Sequence, residues 1–164
     1  KLLKPNKINN SFFCKTNSDI IIQLDNIECI NKIYKNKNKY YINIHINDKN
    51  FDDKILDIDN ILVKNIKQNF KKWFNKSVPI ENILEYFIPT KIYNHNFKSM
   101  MILNIPDDNN DLDINIYNCN NELIDFKDIS KINKCSAIIK LNGLFLEKKK
   151  FFCNWQLIQL KILN

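Results

Sequence analysis

Residues 134–164 read KCSAIIKLNGLFLEKKKFFCNWQLIQLKILN, and their reading decides the fold. Two apolar, β-rich runs flank the polar break Glu147-Lys148-Lys149-Lys150, which predicts a β-hairpin. Each run holds about ten residues, against roughly five or six in an ordinary strand. Strands of that length must curve to stay on a small core. The first run carries Gly143, the only glycine in the chain. A lone glycine inside a strand marks a bulge or a sharp bend. Long, bent, antiparallel strands with a basic tip suit a small closed barrel.

Upstream, residues 1–18 are polar apart from Phe12-Phe13 and read as an N-terminal arm. A strand is predicted over 19–29, with Ile20, Ile21, Ile22 and Leu24. Residues 40–46 alternate, placing Tyr40, Ile42, Ile44 and Ile46 on one face and Tyr41, Asn43 and His45 on the other. These two strands form the first hairpin, 19–29 with 39–47, across the solvated break 35–39. The period then changes. Ile55, Ile58, Leu62, Ile66, Phe70 and Trp73 recur at steps of three and four, the trace of one helical face over 52–74. Asp52 and Asp53 at its start and Lys71, Lys72 and Lys76 at its end match the helix dipole. Ser77-Val78-Pro79 opens a shorter helix with Ile80, Ile83, Leu84 and Phe87 on its buried face, stopped by Pro89. Strands follow over 98–105 and 112–117, and 123–132 is short and mixed, a connecting turn or a 3₁₀ piece.

Helices confined between runs of strands argue against a parallel α/β sheet. The expected fold is mainly β: a Greek-key barrel of the oligonucleotide-binding (OB) type with an inserted helical segment at about 52–88. The expected domain organisation is the arm 1–18 and a single OB-like domain, 19–164.

The chain has 164 residues, 25 basic against 18 acidic, for a net charge of +7. Every basic residue is lysine, so charge contacts are point contacts and not bidentate forks. Such a surface suits phosphate binding that is blind to sequence; overuse of Asn, Ile and Lys also fits an A/T-rich genome. The five cysteines, Cys14, Cys29, Cys119, Cys135 and Cys153, contain no CxxC pair and read as buried free thiols. No apolar run approaches the length of a membrane span, and no signal-peptide pattern appears.

Catalysis finds little support. His45 reads as a surface histidine on the polar face of a strand, and His95 neighbours no nucleophile. Asp107, Asp108, Asp111 and Asp113 read as a solvated acidic loop, the alternative being a Mg²⁺ or Ca²⁺ cluster. With one glycine no glycine-rich phosphate cradle exists. The chain is therefore expected not to be an enzyme and to carry no cofactor or metal. Binding is better supported. Phe151, Phe152 and Trp155 adjoin Lys148, Lys149 and Lys150; Lys140 and Phe145 lie on the preceding strand; Tyr40 and Tyr41 lie beside Lys37 and Lys39. Rings beside lysines supply stacking and charge for single-stranded nucleic acid. Strand alternation sends about half of these rings to the core. The candidate contacts are Lys37, Lys39, Tyr41, Lys140, Phe145, Lys148, Lys149, Lys150 and Phe152.

Two segments carry a family resemblance. FKKWFNKSVPIENILEYFIP (70–89) has a Trp-Phe motif, a short helix and an apolar-Pro end. AIIKLNGLFLEKKKFFCNWQLIQLKI (137–162) has a Leu-x-Gly-x-aromatic pattern and ends in Trp-x-x-x-Gln. Together they resemble the single-stranded DNA-binding proteins of large eukaryotic DNA viruses, which are similar in turn to the phage T-seven type replication protein. The resemblance implies an OB barrel with an inserted helix and sequence-independent binding of single-stranded DNA in viral replication, recombination or repair. It places the chain inside the cell, at viral replication sites in the host cytoplasm or nucleus. The matched positions are Trp73, Phe74, Pro89, Leu141, Gly143, Phe145, Trp155 and Gln159, read mostly as maintaining the fold. The chain departs from the pattern at Cys153-Asn154 and at Asn133-Lys134, where the family has glycine. Phage-type relatives carry an acidic C-terminal tail. Replication partners such as a DNA polymerase or helicase are expected only through a tail not present in these residues. No membrane partner is expected, and a homodimer is left open. The competing reading is a structural or scaffold protein of a virion or replication factory that uses the same barrel for protein contacts.

Overall fold

The computed structural model describes residues 1–45, 48–93, 99–108, 111–129 and 132–163. In chain order the elements are β1 (Asn6–Ile8), β2 (Ser11–Cys29), β3 (Tyr34–Asn36), β4 (Lys39–His45), α1 (Lys49–Phe74), α2 (Ile80–Tyr86), β5 (Phe87–Ile88), β6 (Ile92–Tyr93), β7 (Ser99–Ile105), β8 (Asp107–Asp108), β9 (Asp111–Leu112), β10 (Asn115–Tyr117), a 3₁₀ turn (Phe126–Asp128), β11 (Lys134–Glu147) and β12 (Lys150–Ile162). The terminal hairpin, the long helix and the 3₁₀ turn stand where the sequence puts them. His95 and Ile46 lie outside the described residues.

The chain divides into two compact units. The first comprises Lys1–Asp19, Asn50–Lys91 and Leu141–Asn154; the second comprises Ile20–Lys49, Ile92–Lys140 and Trp155–Asn164. The strands β2, β11 and β12 each contribute a segment to both.

The second unit contains a ring of strands. β4 pairs antiparallel with β7 from Tyr40↔Ile105 to His45↔Met100. β7 pairs parallel with β12 at Gln156↔Asn104. The order continues through β11 and β2, and β2 returns to β4 at Glu28↔His45 and Cys29↔Ile44. Five strands thus close an OB-like barrel. Ile42, Ile44, Met101, Leu103, Ile105, Cys135, Ala137, Ile139, Trp155 and Leu157 fill it and are buried. β10 adds to β12 in parallel, with Ile116 opposite Leu160. His45 is only 8% exposed, and its Nδ1 lies 3.2 Å from the Ser99 carbonyl. The expectation of a surface histidine is therefore wrong. Asn43, on the same strand face, is also buried and accepts a 2.9 Å hydrogen bond from the Tyr34 hydroxyl. Strand alternation predicted the two faces of β4 but not that both are covered.

The first unit packs α1 and α2 with the β1–β2 hairpin and the inner halves of β11 and β12. Residues 1–18, read above as an arm, hold β1 and the start of β2, registered from Asn6↔Phe13 to Ile8↔Ser11. The unit's core includes Leu2, Cys14, Phe51, Ile55, Leu62, Ile66, Ile83, Leu144, Leu146 and Phe151. On α1 the buried stripe is Phe51, Ile55, Asp59, Leu62 and Ile66. Helix α2 begins at Ile80 with Pro79 as its N-cap and no side-chain cap, so the expected Ser77 cap is not used. Ile83 is buried while Leu84 is 58% exposed, and Phe87 leaves the helix to pair with Phe151. Neighbours in a helix point about 100° apart, and the buried face of α2 is centred on Ile83, leaving Leu84 to solvent. Among the described residues no helix is long and apolar enough to cross a membrane.

A chain with one glycine must find its left-handed positions elsewhere. Among the described residues six non-glycine positions have positive φ: Asn9, Asn26, Lys37, Asn38, Asn75 and Asn121. Five are asparagine, the side chain that tolerates this region best. Asn75 (φ 53°) ends α1, its N–H donating to the Lys71 carbonyl at 2.9 Å. Lys37 and Asn38, both with positive φ, join β3 to β4 in a two-residue turn of the kind that matches strand twist.

Asp59 is a carboxylate on an otherwise apolar stripe, 5% exposed. It accepts hydrogen bonds from the Thr90 N–H (2.8 Å), the Thr90 hydroxyl (2.7 Å) and the Cys153 thiol (3.5 Å). It ties Thr90, two residues beyond β5, and Cys153 of β12 to the helix. Burial raises its pKa, and the Thr90 bonds oppose that shift only in part. A raised folded-state pKa contributes stability below the unfolded value that is lost as pH rises through the folded one. The wild type is therefore expected to lose stability relative to Asp59→Asn as pH rises from acid toward neutral. Urea midpoints for both proteins across that range test the sign. Asp59→Ala, which strands the Thr90 N–H, is expected to cost about 2–3 kcal/mol.

Candidate nucleic-acid interface

In the first unit, alternation along three neighbouring strands sorts the rings. On β2, Phe12 meets Phe74 of α1 at 5.0 Å, and Cys14 is fully buried. Phe13, between them, points to the opposite face. On β11, Leu144 and Leu146 are buried and Phe145 is half-buried; on β12, Phe151 is buried and Phe152 half-buried. The half-exposed face therefore carries a row of three phenylalanines. Phe13 and Phe145 lie 4.8 Å apart, tilted by 46°, and Phe145 and Phe152 lie 5.5 Å apart, nearly parallel at 26°.

Gly143 makes the row possible. A Cβ on this residue would lie 2.3 Å from the Cys14 carbonyl oxygen and 2.7 Å from the Phe13 ring. The bare backbone lets β2 approach and lets the Phe13 ring lie over β11. Lys148 and Lys149 form the exposed turn between β11 and β12, and exposed Lys150 follows. Lys15 is exposed two residues beyond Phe13, on the same strand face. The unit holds fourteen lysines against eight carboxylates, so it carries +6 of the chain's +7. A ring row beside an exposed lysine turn can stack bases and neutralise phosphates.

The predicted contacts fall in both units. The first holds Phe145, Phe152, Lys148, Lys149 and Lys150 together. The second holds Lys37, Lys39, Tyr41 and Lys140. Lys37 and Lys39 are exposed on the β3–β4 hairpin, and Lys140 is half-buried on β11. Tyr41 is half-buried and stacks on Tyr34 at 5.8 Å and 29°. Burial first, then the Tyr34 phenol beside it, raises its pKa. Register extends this pair into a row: Tyr34 opposes Tyr41, Tyr41 opposes Asn104, and Asn104 opposes Gln156. The Asn104 Oδ1 is buried without a hydrogen-bond partner among the described residues. Phe151 and Trp155, the other rings of the basic hairpin, are core residues. Asp111 of the acidic run is exposed and pairs with Lys127 at 3.6 Å.

Three features escaped the sequence reading: Phe13, and the amides of Asn104 and Gln156. Phe13 had one signal. A lone glycine in a strand is a place where a ring from the next strand can lie, and Phe12-Phe13 is the only aromatic pair near the N-terminus. The amides had none, because their alignment depends on the register of three strands.

Residues 30–164 match the model of DUF5871, a family of unknown function. The chain belongs to that family. No curated protein matches the sequence. Among solved structures, this DUF5871 chain is similar to the single-stranded DNA-binding protein from bacteriophage Enc34. The TM-score is 0.57 at 16% identity, covering 100% of this chain and 90% of that one. The same phage protein in complex with single-stranded DNA gives a TM-score of 0.54 at 15% identity, covering 99% and 94%. At that identity the likeness is one of fold.

Proposed function

We propose that this chain binds single-stranded DNA without regard to sequence. The observation that carries the reading is the half-exposed row Phe13, Phe145 and Phe152 beside the Lys148–Lys150 turn. The OB-like barrel, the charge concentrated in the ring-bearing unit and the phage DNA-binding proteins that share the fold all support it. The resemblance of the 70–89 and 137–162 segments supports a finer statement: the chain serves viral DNA replication, recombination or repair, at replication sites in the host cell. Lysines neutralise backbone phosphates while rings stack on bases. Lys37, Lys39, Tyr41 and Lys140 are proposed as contacts on the second unit.

Fluorescence anisotropy with oligo-thymidine and mixed-sequence strands tests the reading. Similar affinities for the two, much weaker binding to duplex and a steep salt dependence are expected; flat salt response or a preference for duplex would refute it. Phe13→Leu and Phe145→Leu keep apolar volume but lose the ring face. Each is expected to cost about 1–3 kcal/mol, a roughly 5- to 150-fold rise in Kd. Wild-type affinity in both variants would remove the row from the interface.

A further inference from the structure

Two cysteines on neighbouring strands of the barrel lie side by side. Cys29 is the last residue of β2 and Cys135 the second of β11. Their Sγ atoms are 2.8 Å apart, against roughly 2.0 Å in a disulfide bond. The backbone holds them there. The Cys29 N–H donates to the Asn133 carbonyl at 2.9 Å, and Cys29 also opposes Ile44 of β4. The site is where the ring closes, at Glu28↔His45 and Cys29↔Ile44 of the β2–β4 register. The other thiols are differently placed. Cys14 is buried in the first unit, Cys153 donates to Asp59, and Cys119 is exposed.

We infer that Cys29 and Cys135 form a reversible disulfide across the β2–β11 seam, with a small-molecule disulfide such as oxidised glutathione as the oxidant. Access divides the roles. Cys29 is half-buried and is reached first; Cys135 is fully buried and resolves. The Cys29 thiol gives its proton to solvent and its sulfur attacks the small disulfide. One small thiolate leaves, takes up a proton, and a mixed disulfide remains on Cys29. Cys135 then loses its proton and attacks the Cys29 sulfur, expelling the second small thiol. Two protein thiols are oxidised and one small disulfide is reduced to two thiols. The hydrogen bond to Cys29, then burial, holds the Cys135 thiol above the usual range. The resolving step therefore speeds up as pH rises.

The bond restrains the unfolded chain between positions 29 and 135 and fixes β2 to β11 beside the β2–β4 pairing at Cys29↔Ile44. The inference stands apart from the DNA-binding reading, because its readouts are thiols and melting temperature.

The experiment uses the full chain with Cys119→Ser, which removes the exposed thiol. The protein is equilibrated in mixtures of oxidised and reduced glutathione, then alkylated in denaturant, so that every free thiol reacts, and digested. Under oxidising mixtures two thiols should resist alkylation and one cross-linked peptide pair should join 29 to 135. The intact mass should carry no glutathione, and Tm should rise by about 5–10 °C. Cys135→Ala should instead retain a glutathione adduct on Cys29 and show no rise. If the alanine variant unfolds, Cys29→Ser serves instead: without the thiol that is reached first, Cys135 should take up no glutathione, form no cross-link and show no rise in Tm. A persistent adduct on Cys29 with Cys135 present, or full alkylation of both under oxidising mixtures, would overturn the assignment.

Discussion

Replacing Lys148, Lys149 and Lys150 together by glutamate is expected to weaken binding to an oligo-thymidine strand by at least roughly 100-fold at about 0.1 M salt. Each phosphate contact on a single strand contributes about 0.7 to the slope of log affinity against log salt. Three contacts contribute about two, which is the hundredfold between about 1 M and 0.1 M salt. Reversing the charge adds repulsion to that loss. The slope itself should flatten by about two, a sign that bound counterions are no longer released. All three side chains are exposed, so the melting temperature should stay within a few degrees of the wild type. Unchanged affinity with an unchanged slope would show that strand backbones do not pass this turn, and the ring row would lose its electrostatic partner.

Gly143→Ala is expected to produce the largest loss of stability from a single added carbon. The backbone φ is +150°, a conformation side-chain-bearing residues seldom adopt. The new Cβ would meet the Cys14 carbonyl at 2.3 Å, and that atom belongs to the backbone of a paired strand and cannot swing aside. Moving the Phe13 ring, at 2.7 Å, would relieve the second clash but not the first. Strain of this kind costs about 3 kcal/mol or more, a fall in Tm of roughly 6–12 °C. Thermal melts followed by circular dichroism measure it. A variant that melts with the wild type would mean that β2 and β11 are not held this close. A variant that folds at low temperature should also bind DNA more weakly, because the displaced ring is part of the stacking row.

The alternation that placed Phe151 and Phe152 on opposite faces could be read directly from their adjacency. It did not say which face was covered, since that depends on where α1 packs. In the structure Phe70 of α1 lies 6.4 Å from Phe151, and the odd-numbered ring becomes core while Phe152 stays half-exposed. Asp59 was invisible for the complementary reason. The apolar steps along α1 identified the helix, but a carboxylate on its inner stripe is tolerable only when Thr90 and Cys153 arrive from distant positions to satisfy it. The cysteines show the same limit: five thiols without a CxxC spacing read as unconnected, while the barrel brings residues 106 positions apart to hydrogen-bonding distance.

Local chemistry was enough for the longer elements and their order, the long bent hairpin with its basic tip, the helix between strands and the lysine-only excess of positive charge; the short strands β1, β3, β8 and β9 fell where an arm, a solvated break and a loop were expected. These depend on periodicity, turn composition and counts, all carried by neighbours in the chain. Strand register and helix packing decided the rest: that Phe13 joins Phe145 and Phe152, that Tyr41 lines up with Asn104 and Gln156, and that both faces of β4 are covered. Each of those outcomes is a relation between segments far apart in sequence. Register along a strand flips every side chain with a shift of one residue, and no local pattern in this chain encodes which shift the partners take.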